Sequence, residues 1–537
     1  MSSMKTELCT ENAYEEYENK LCSEIDAGRL DYDGGSEKTC DCDIAVIGAG
    51  GSGLCAAVHA AQLGAKVIVL EKGAHAGGNT YMAVGTGFAV NLDRNTAASE
   101  SKGEAPLALT MGTPDNQSYA AVKKSAFLRC MEIEEWRKDP KVIHRSVDTA
   151  DEVYRWFLSL GMKFDLVRPQ GLGITRRQAH HKNHGRGDPS NGPGYMGSYV
   201  VETMEKELRQ LGGTLITRCR ALELLQNSDG SAAGVIAQSA ETTYHVNAKA
   251  VILASGGFAA NRDLMRKYFP DQYPNMDHTI LRMSSGYSTG DGILMGEKIG
   301  AMTGEFLTLG IGGAVHHPWS WSIHAFGGPA TLQVNREGIR FSTEDTMFSW
   351  HAYVKQPGQI AYSIVDEPLK EQLKQEMLQR PTTDEEHEAL SHLDEDLLRE
   401  AGEPGKKVII ADTIEKLAEG IGCDPTVLRK TVDTYNGYCD AGRDEDMLKP
   451  AQFLKKIETA PFYAILRQRM TIITSGGLST DYKMRVLDQK RKPMDGFYVA
   501  GDLSNGSGSL SGTGWAFVSG YIAGMEAVEY CTEKQRG

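Results

Sequence analysis

Three glycines, Gly48, Gly50 and Gly53, stand in the spacing Gly-x-Gly-x-x-Gly, and Glu71 follows 18 residues after the last of them. The first glycine of such a set makes a tight turn. The second lets backbone approach a pyrophosphate, and the third lets a helix pack closely on a strand. The helix N-terminus then faces the phosphates, and an acidic side chain at the end of the next strand reaches a ribose hydroxyl. The chemistry this predicts is capture of a dinucleotide. Other constellations carry less. The ten cysteines form no CxxC pair and no CxxCH, so zinc ribbons, thioredoxin-type redox motifs and c-type haem attachment lack support. His180, His181 and His184 have spacing that can bind metal, but they lie among arginines and lysine without carboxylates, and no metal site is predicted.

The elements that must position these residues can be read around them. Asp43-Ile-Ala-Val-Ile47 predicts a short buried strand, residues 54–63 an Ala-rich helix, and Lys66-Val-Ile-Val-Leu70 a second strand: a βαβ unit in about thirty residues. Residues 214–226 and 233–239 flank Asn227-Ser-Asp-Gly230 and predict a hairpin. Ala250-Val-Ile-Leu-Ala254 is another strand, stopping at Ser255-Gly-Gly257. Residues 368–403 and 413–441 predict helical stretches, and after Pro461 strand-and-turn chemistry returns, with a Gly/Ser-rich loop to Gly514. The expected fold is α/β (α+β overall). A Rossmann-like domain of residues 43–310 and 456–537 is split by an inserted α+β cap, 311–455, and preceded by an acidic extension, 1–42.

Composition sets the outer bounds. At 537 residues the chain has room for two or three domains, and glycine, at 59 residues, exceeds its usual share of about 7%. The formal charge is −14, which disfavours nucleic acid or an anionic membrane as partner. Eleven carboxylates and four Lys/Arg fall within residues 1–42, a disordered solubilising tail or a dock for a basic partner. The stretch 44–70 is a poor membrane span because it is rich in Gly and Ala and holds His59 and Lys66. No apolar run follows Met1, and a cytoplasmic setting is expected.

Further motifs run the length of the chain: Glu71-Lys72, Gly77-Gly-Asn-Thr80 with Gly85, Ala254-Ser-Gly-Gly-Phe258 and Thr289-Gly-Asp-Gly292. Val334-Asn-Arg-Glu-Gly338 with Arg340-Phe341, Tyr435-Asn-Gly-Tyr438, Gly476-Gly477 and Tyr498-Val-Ala-Gly-Asp502 continue the series. In combination and order the chain resembles the soluble fumarate reductase branch of the fumarate reductase/succinate dehydrogenase flavoprotein superfamily. The resemblance implies FAD, held non-covalently because the Gly-Gly-Asn-Thr version of its segment is present. It implies roles for Glu71 at the adenosine ribose, Asn79 and Thr80 at the diphosphate and flavin side, and the Ala221 backbone at adenine. Asp502 is implied near the ribityl chain and the Gly512–Gly514 loop at the isoalloxazine N1/O2 edge. Gly51, Ser52, Lys72, Gly78, Gly85, Ala254, Ser255, Gly256, Asp291, Gly501 and Thr513 complete the implied cofactor set.

On the substrate side the chain departs from the resemblance. His317-Pro318 matches, flanked by Trp319 and Trp321, but the Thr-Glu-x-x-Arg segment has no counterpart. The expected arginine acid falls on Phe348, the histidine before Gly476-Gly477 becomes Ile473, and Ser507-Gly-Ser-Leu-Ser-Gly-Thr-Gly-Trp515 replaces the loop with the late arginine. Charged anchors for a dicarboxylate have become apolar or vanished, which predicts a neutral or aromatic substrate such as a steroid enone or a plant phenolic, not fumarate. The ending from Gly512 to Tyr521 is similar to 3-ketosteroid dehydrogenases, although Ser507–Ser511 stands where their tyrosine is expected. Reducing an activated C=C bond needs a hydride from reduced flavin N5 and a proton from a side-chain acid, for which His317 and Tyr287 are the candidates. The alternatives are 3-ketosteroid desaturation and a non-catalytic electron-transfer flavoprotein. A separate electron donor or acceptor is expected, since no haem-attachment motif is present.

Overall fold

The computed structural model describes residues 35–536 outside 82, 84–85, 90–118, 135, 163, 171–173, 180–195, 271–279, 283–285, 305, 307–312, 316–325, 327, 345–349, 354, 380–389, 403–406, 472 and 506–511. The chain forms two compact units. One comprises the segment ending at Phe269 together with Ser284–Leu309 and the segment from Ile473 onward. The other comprises Pro270–Met283 and Gly310–Ile472.

In the first unit β1 (Ser36–Ile47) leads into α1 (Gly51–Gln62) and β2 (Val67–Leu70), and a short helix α2 (Gly78–Tyr81) follows. Ile44, Ala45, Val46 and Ile47 are all buried, so both faces of β1, a central strand between β2 and a later parallel strand, are covered. A strand covered on both faces reads as a continuous apolar run. β1 begins earlier than the predicted Asp43: residues 36–42 are polar, yet they pair in register with residues 242–248. Helices α3 (Pro140–Ser159) and α4 (Met196–Gln210) precede β3 (Thr214–Ile216), β4 (Arg220–Gln226), β5 (Ala232–Gln238) and β6 (Thr242–Leu253). The predicted strand 214–226 divides at Arg218, whose φ is +51°. β3 joins β2, while β4 and β5 form the predicted antiparallel hairpin. Helix α5 (Asp291–Lys298) follows.

The second unit is built on an antiparallel sheet of β7 (Leu332–Asn335), β8 (Ile360–Asp366), β9 (Val408–Ala411) and the long β10 (Phe462–Thr471), with two short strands, Ile280–Arg282 and Gly313–Val315, also on β10. Helices α6 (Ile414–Ile421) and α7 (Pro425–Ala441) cover it. The stretch predicted as one helix breaks here for local reasons. Gly422 ends α6 in the left-handed region, Asp424 caps Thr426 N–H, and Pro425 takes the first position of α7. A charged knot lies buried in this unit: Arg340 donates to Glu344 (2.8 Å) and Asp444 (2.7 Å), and Lys449 approaches Glu344 at 3.3 Å.

The chain returns to the first unit as β11 (Arg485–Leu487), β12 (Pro493–Val499) and the terminal helix α8 (Gly512–Arg536). The sheet order is β11-β12-β6-β1-β2-β3, with β5 on β6 and β4 on β5. Helix α8 lies against α1 at backbone distance. A Cβ on Gly520 would stand 2.2 Å from Ser52 O, and one on Gly524 2.5 Å from Ala56 O. The α/β fold with a split Rossmann-like sheet matches the sequence expectation.

Candidate functional site

Four parallel strands, β12, β6, β1 and β2, end side by side. Ala254 N–H donates to Ile47 O (2.8 Å), Ala500 N–H to Leu253 O (2.9 Å), and Gly48 N–H to Leu70 O (2.8 Å). The segments leaving these ends are Gly48–Gly53, Glu71–Gly73, Ala254–Gly257 and Gly501–Asp502. Ligands of open α/β sheets bind outside the carboxyl ends of the strands.

The glycines at this edge are of two kinds. A Cβ on Gly53 would stand 1.9 Å from Gly48 O, and one on Gly48 2.5 Å from Ala254 O, so these positions serve close packing. A Cβ on Gly50 meets only Gly77 O at 3.7 Å, on Gly78 only Gly50 Cα at 3.9 Å, and on Gly256 only Ser288 Oγ at 3.9 Å. At these three glycines an added Cβ would meet one described atom each, at van der Waals distance, which fits a cradle that backbone lines closely. Ser255 Oγ in the same edge is buried and has no hydrogen-bond partner among the described residues. Buried hydroxyls are usually satisfied, so an acceptor- or donor-bearing ligand fits there. Gly50 is the N-cap of α1, and Gly51 N–H is held by Thr80 Oγ1 (3.2 Å), which fixes α2 against the first turn of α1.

Glu71 is 7% exposed. Its carboxylate accepts from Ala49 N–H (2.8 Å) and Gly73 N–H (2.7 Å), and its backbone carbonyl accepts from Cys219 N–H (2.8 Å). Each oxygen keeps a lone pair for a ribose hydroxyl. Ala221 lies two residues beyond this contact, buried. Asp291, expected to touch the cofactor, has both oxygens engaged. Lys72 donates to it at 3.0 Å and Arg220 bidentately at 2.9 and 3.1 Å, and Thr289 adds a fourth bond. Burial pushes its carboxyl up, but the two cations prevail and hold it below the usual range. Asp291 thus ties β2, β4 and α5 together behind Glu71, and Arg220 is a member of the site that the sequence reading missed.

Asp502 sits in a single 3-10 turn, Gly501–Leu503, with its Cβ 3.6 Å from where a Cβ on Gly257 would be. Burial pushes its carboxyl up to about 7, with a hydrogen bond from Asn79 pulling the other way. Asn79 and Asp502, far apart in sequence, are thus brought together. At the start of α8, Ile473 stands near Gly512: a Cβ added there would lie 3.4 Å from Ile473 Cγ2.

The two acid candidates fare differently. Tyr287 is 41% exposed, and its ring edge stands 3.2 Å from a Cβ on Gly73, beside the Glu71 carboxylate. His317 and Gly85 lie outside the described residues, as do Trp319, Trp321, Phe348, His180, His181 and His184. Trp515 is fully buried, and its indole N–H donates to Gly501 O (3.1 Å) and Ser504 Oγ (2.9 Å). Thr513 begins α8 next to Gly512. Among the described residues no group of three or more His, Cys, Asp or Glu is placed to hold a metal ion, and no helix is long and apolar enough to cross a membrane.

A parallel strand edge with closely approached glycines, a buried acid at the end of β2 and a helix N-terminus is the arrangement of a dinucleotide-binding fold. The chain matches the FAD binding domain family over residues 43–514 and belongs to it. It is an FAD-dependent oxidoreductase of the fumarate reductase-like flavoprotein superfamily. It is 28% identical over 511 residues to the vinyl phenol reductase of Lactiplantibacillus plantarum, covering 91% of this chain and 96% of that protein. Its fold is similar to the open conformation of a flavocytochrome c3 fumarate reductase, with a TM-score of 0.65, 25% identity, and 96% and 81% coverage of the two chains. It is also similar to 3-ketosteroid-Δ4-(5α)-dehydrogenase from Rhodococcus jostii, with a TM-score of 0.69, 20% identity, and 91% and 97% coverage.

Proposed function

We propose that the enzyme reduces an activated C=C bond in a neutral or aromatic small molecule, with a vinyl- or propenyl-substituted phenol as the leading substrate class. The observation that carries this reading is Ile473 against Gly512. The resemblance puts Gly512 at the flavin ring and a histidine at position 473, and this chain presents an aliphatic side chain instead. A carboxylate brought there would lose hydration without gaining a cation or donor from that side chain, whereas an apolar substrate face gains contact. The similarity to a vinyl phenol reductase over nearly the full length of both chains points the same way.

FAD, when bound, supplies hydride chemistry: two electrons and one hydrogen for one carbon of the double bond. The chain's part is to bind, to orient and to deliver the second hydrogen as a proton. Gly50, Gly78 and Gly256 leave room for the cofactor backbone, Glu71 accepts from the ribose, and Ser255, Asn79 and Asp502 meet its polar middle. The Gly-Gly-Asn-Thr segment holds it without a covalent bond. The proton donor in this reading is His317 or Tyr287. Electrons come from a separate donor, and the setting is cytoplasmic.

An anaerobic assay with reduced viologen tests the reading directly. Vinyl phenols, cinnamates and steroid enones are compared with fumarate and urocanate. Turnover of a neutral aromatic alkene supports it, and fast turnover of fumarate or urocanate overturns it.

A further inference from the structure

Helix α8 does more than cover the sheet, because two of its buried side chains grip the two peptide groups on either side of one residue, Gly501. Gly501 N–H donates to Ser519 Oγ (2.9 Å), and Gly501 O accepts from Trp515 Nε1 (3.1 Å) and Ser504 Oγ (2.7 Å). Ser519 Oγ donates in turn to Trp515 O (2.6 Å), so its hydroxyl is used both ways. Trp515 and Ser519 are four residues apart, on one face of the helix. Trp515, Ser519 and Ser504 are all fully buried. On the far side, Ala500 N–H is bonded to Leu253 O. Gly501 has φ +71°, and a Cβ on it would strike Ser52 Oγ at 2.5 Å. The backbone is therefore fixed on both sides of the one residue that precedes Asp502, and the direction in which Asp502 leaves the chain is set by α8.

We infer that Trp515 and Ser519 are positioning residues for cofactor retention, holding the peptide groups on both sides of Gly501 so that Asp502 is presented to FAD beside Asn79. This rests on Asp502 being a cofactor contact. None of the three touches substrate in this account. Trp515 acts through its N–H, so its ring alone is not enough.

The test is reconstitution of the full-length apoprotein with FAD, read as a dissociation constant. The variants are Asp502→Ala, Trp515→Phe, Ser519→Ala, the double variant Asp502→Ala/Trp515→Phe, and Tyr498→Phe. Tyr498 OH donates to Glu526 O (3.1 Å) in the same sheet–helix layer, away from the Gly501 peptide, and controls for loss of any buried hydrogen bond. Loss of one net hydrogen bond corresponds to about a fivefold change. Trp515→Phe and Ser519→Ala are each expected to weaken FAD about fivefold, and Tyr498→Phe to lower the melting temperature with FAD affinity unchanged. The double variant is expected to bind no more weakly than Asp502→Ala alone, since Trp515 acts through Asp502. Wild-type affinity in both Trp515→Phe and Ser519→Ala, or additive losses in the double variant, overturns the clamp. Unchanged affinity in Asp502→Ala overturns the Asp502 contact itself. Should Trp515→Phe fail to fold, Ser519→Ala decides.

Discussion

Gly50 and Gly53 share a motif but have opposite surroundings, and substitution should tell them apart. A Cβ at Gly53 meets backbone at 1.9 Å, whereas at Gly50 it would meet one described atom, Gly77 O, at a van der Waals distance of 3.7 Å. Gly50→Val is therefore expected to fold and to purify without yellow colour. A Gly50→Val protein as yellow as wild type would falsify the pyrophosphate assignment. Asp502 gives a second handle. Its carboxyl is raised from 3.8 to about 7 in the folded apoprotein, so the folded state holds a proton that the unfolded chain releases between those values. Apoprotein stability should accordingly fall as pH rises from about 4 to about 7 and level off above, because the unfolded state binds fewer protons there. Asp502→Asn should flatten that part of the melting-temperature profile; an unchanged slope assigns it to other groups. The nucleotide side was legible in the sequence because the motif is local: three glycines and an acid at fixed spacing on one βαβ unit. The clamp was not. Trp515 reads as an aromatic near a ligand loop, and only its contact with Gly501, made across two segments, shows that it faces inward.

At the scale of elements, α8 meets α1 at backbone distance through Gly520 and Gly524. Alanine in place of glycine inside a helix normally gains about 1 kcal/mol. At Gly520 the added Cβ would stand 2.2 Å from the Ser52 carbonyl, which is backbone and cannot rotate away. Overpacking costs about 1–3 kcal/mol, so Gly520→Ala should destabilise the protein in urea titrations and weaken FAD, against its helix propensity. A gain in stability would contradict the close approach. In the second unit, Glu344 compensates Arg340 and Lys449 in the interior. Removing one partner from such a group costs about 3–5 kcal/mol, and Glu344→Ala should lower the urea midpoint accordingly; a surface-like loss under 1 kcal/mol would contradict the buried knot. The helix break at Gly422-Cys-Asp-Pro425 was written locally as a stop, a cap and a first-turn proline, and reading 413–441 as one helix passed over it. Residues 36–42 were harder. They are polar and turn-flanked, and only the partner strand at 242–248 makes them a strand.

For the whole molecule, the family match and the sheet-edge cradle account for a flavoenzyme, while the substrate depends on a few positions at the flavin end. Gly48, Gly50, Gly53, Gly78 and Gly256 serve that cradle, and Gly520 and Gly524 the α8–α1 contact. What the sequence could not weigh was which apolar residues line a site and which fill a core: Ile473 reaches Gly512, Trp515 is inside. The most direct measurement is anaerobic turnover of a 4-vinylphenol and of fumarate by the FAD-loaded enzyme with the same reduced viologen. The account predicts saturable oxidation of the dye with the vinyl phenol or another neutral aromatic alkene, and no more than background with fumarate. Rapid fumarate reduction with no turnover of neutral alkenes would contradict it.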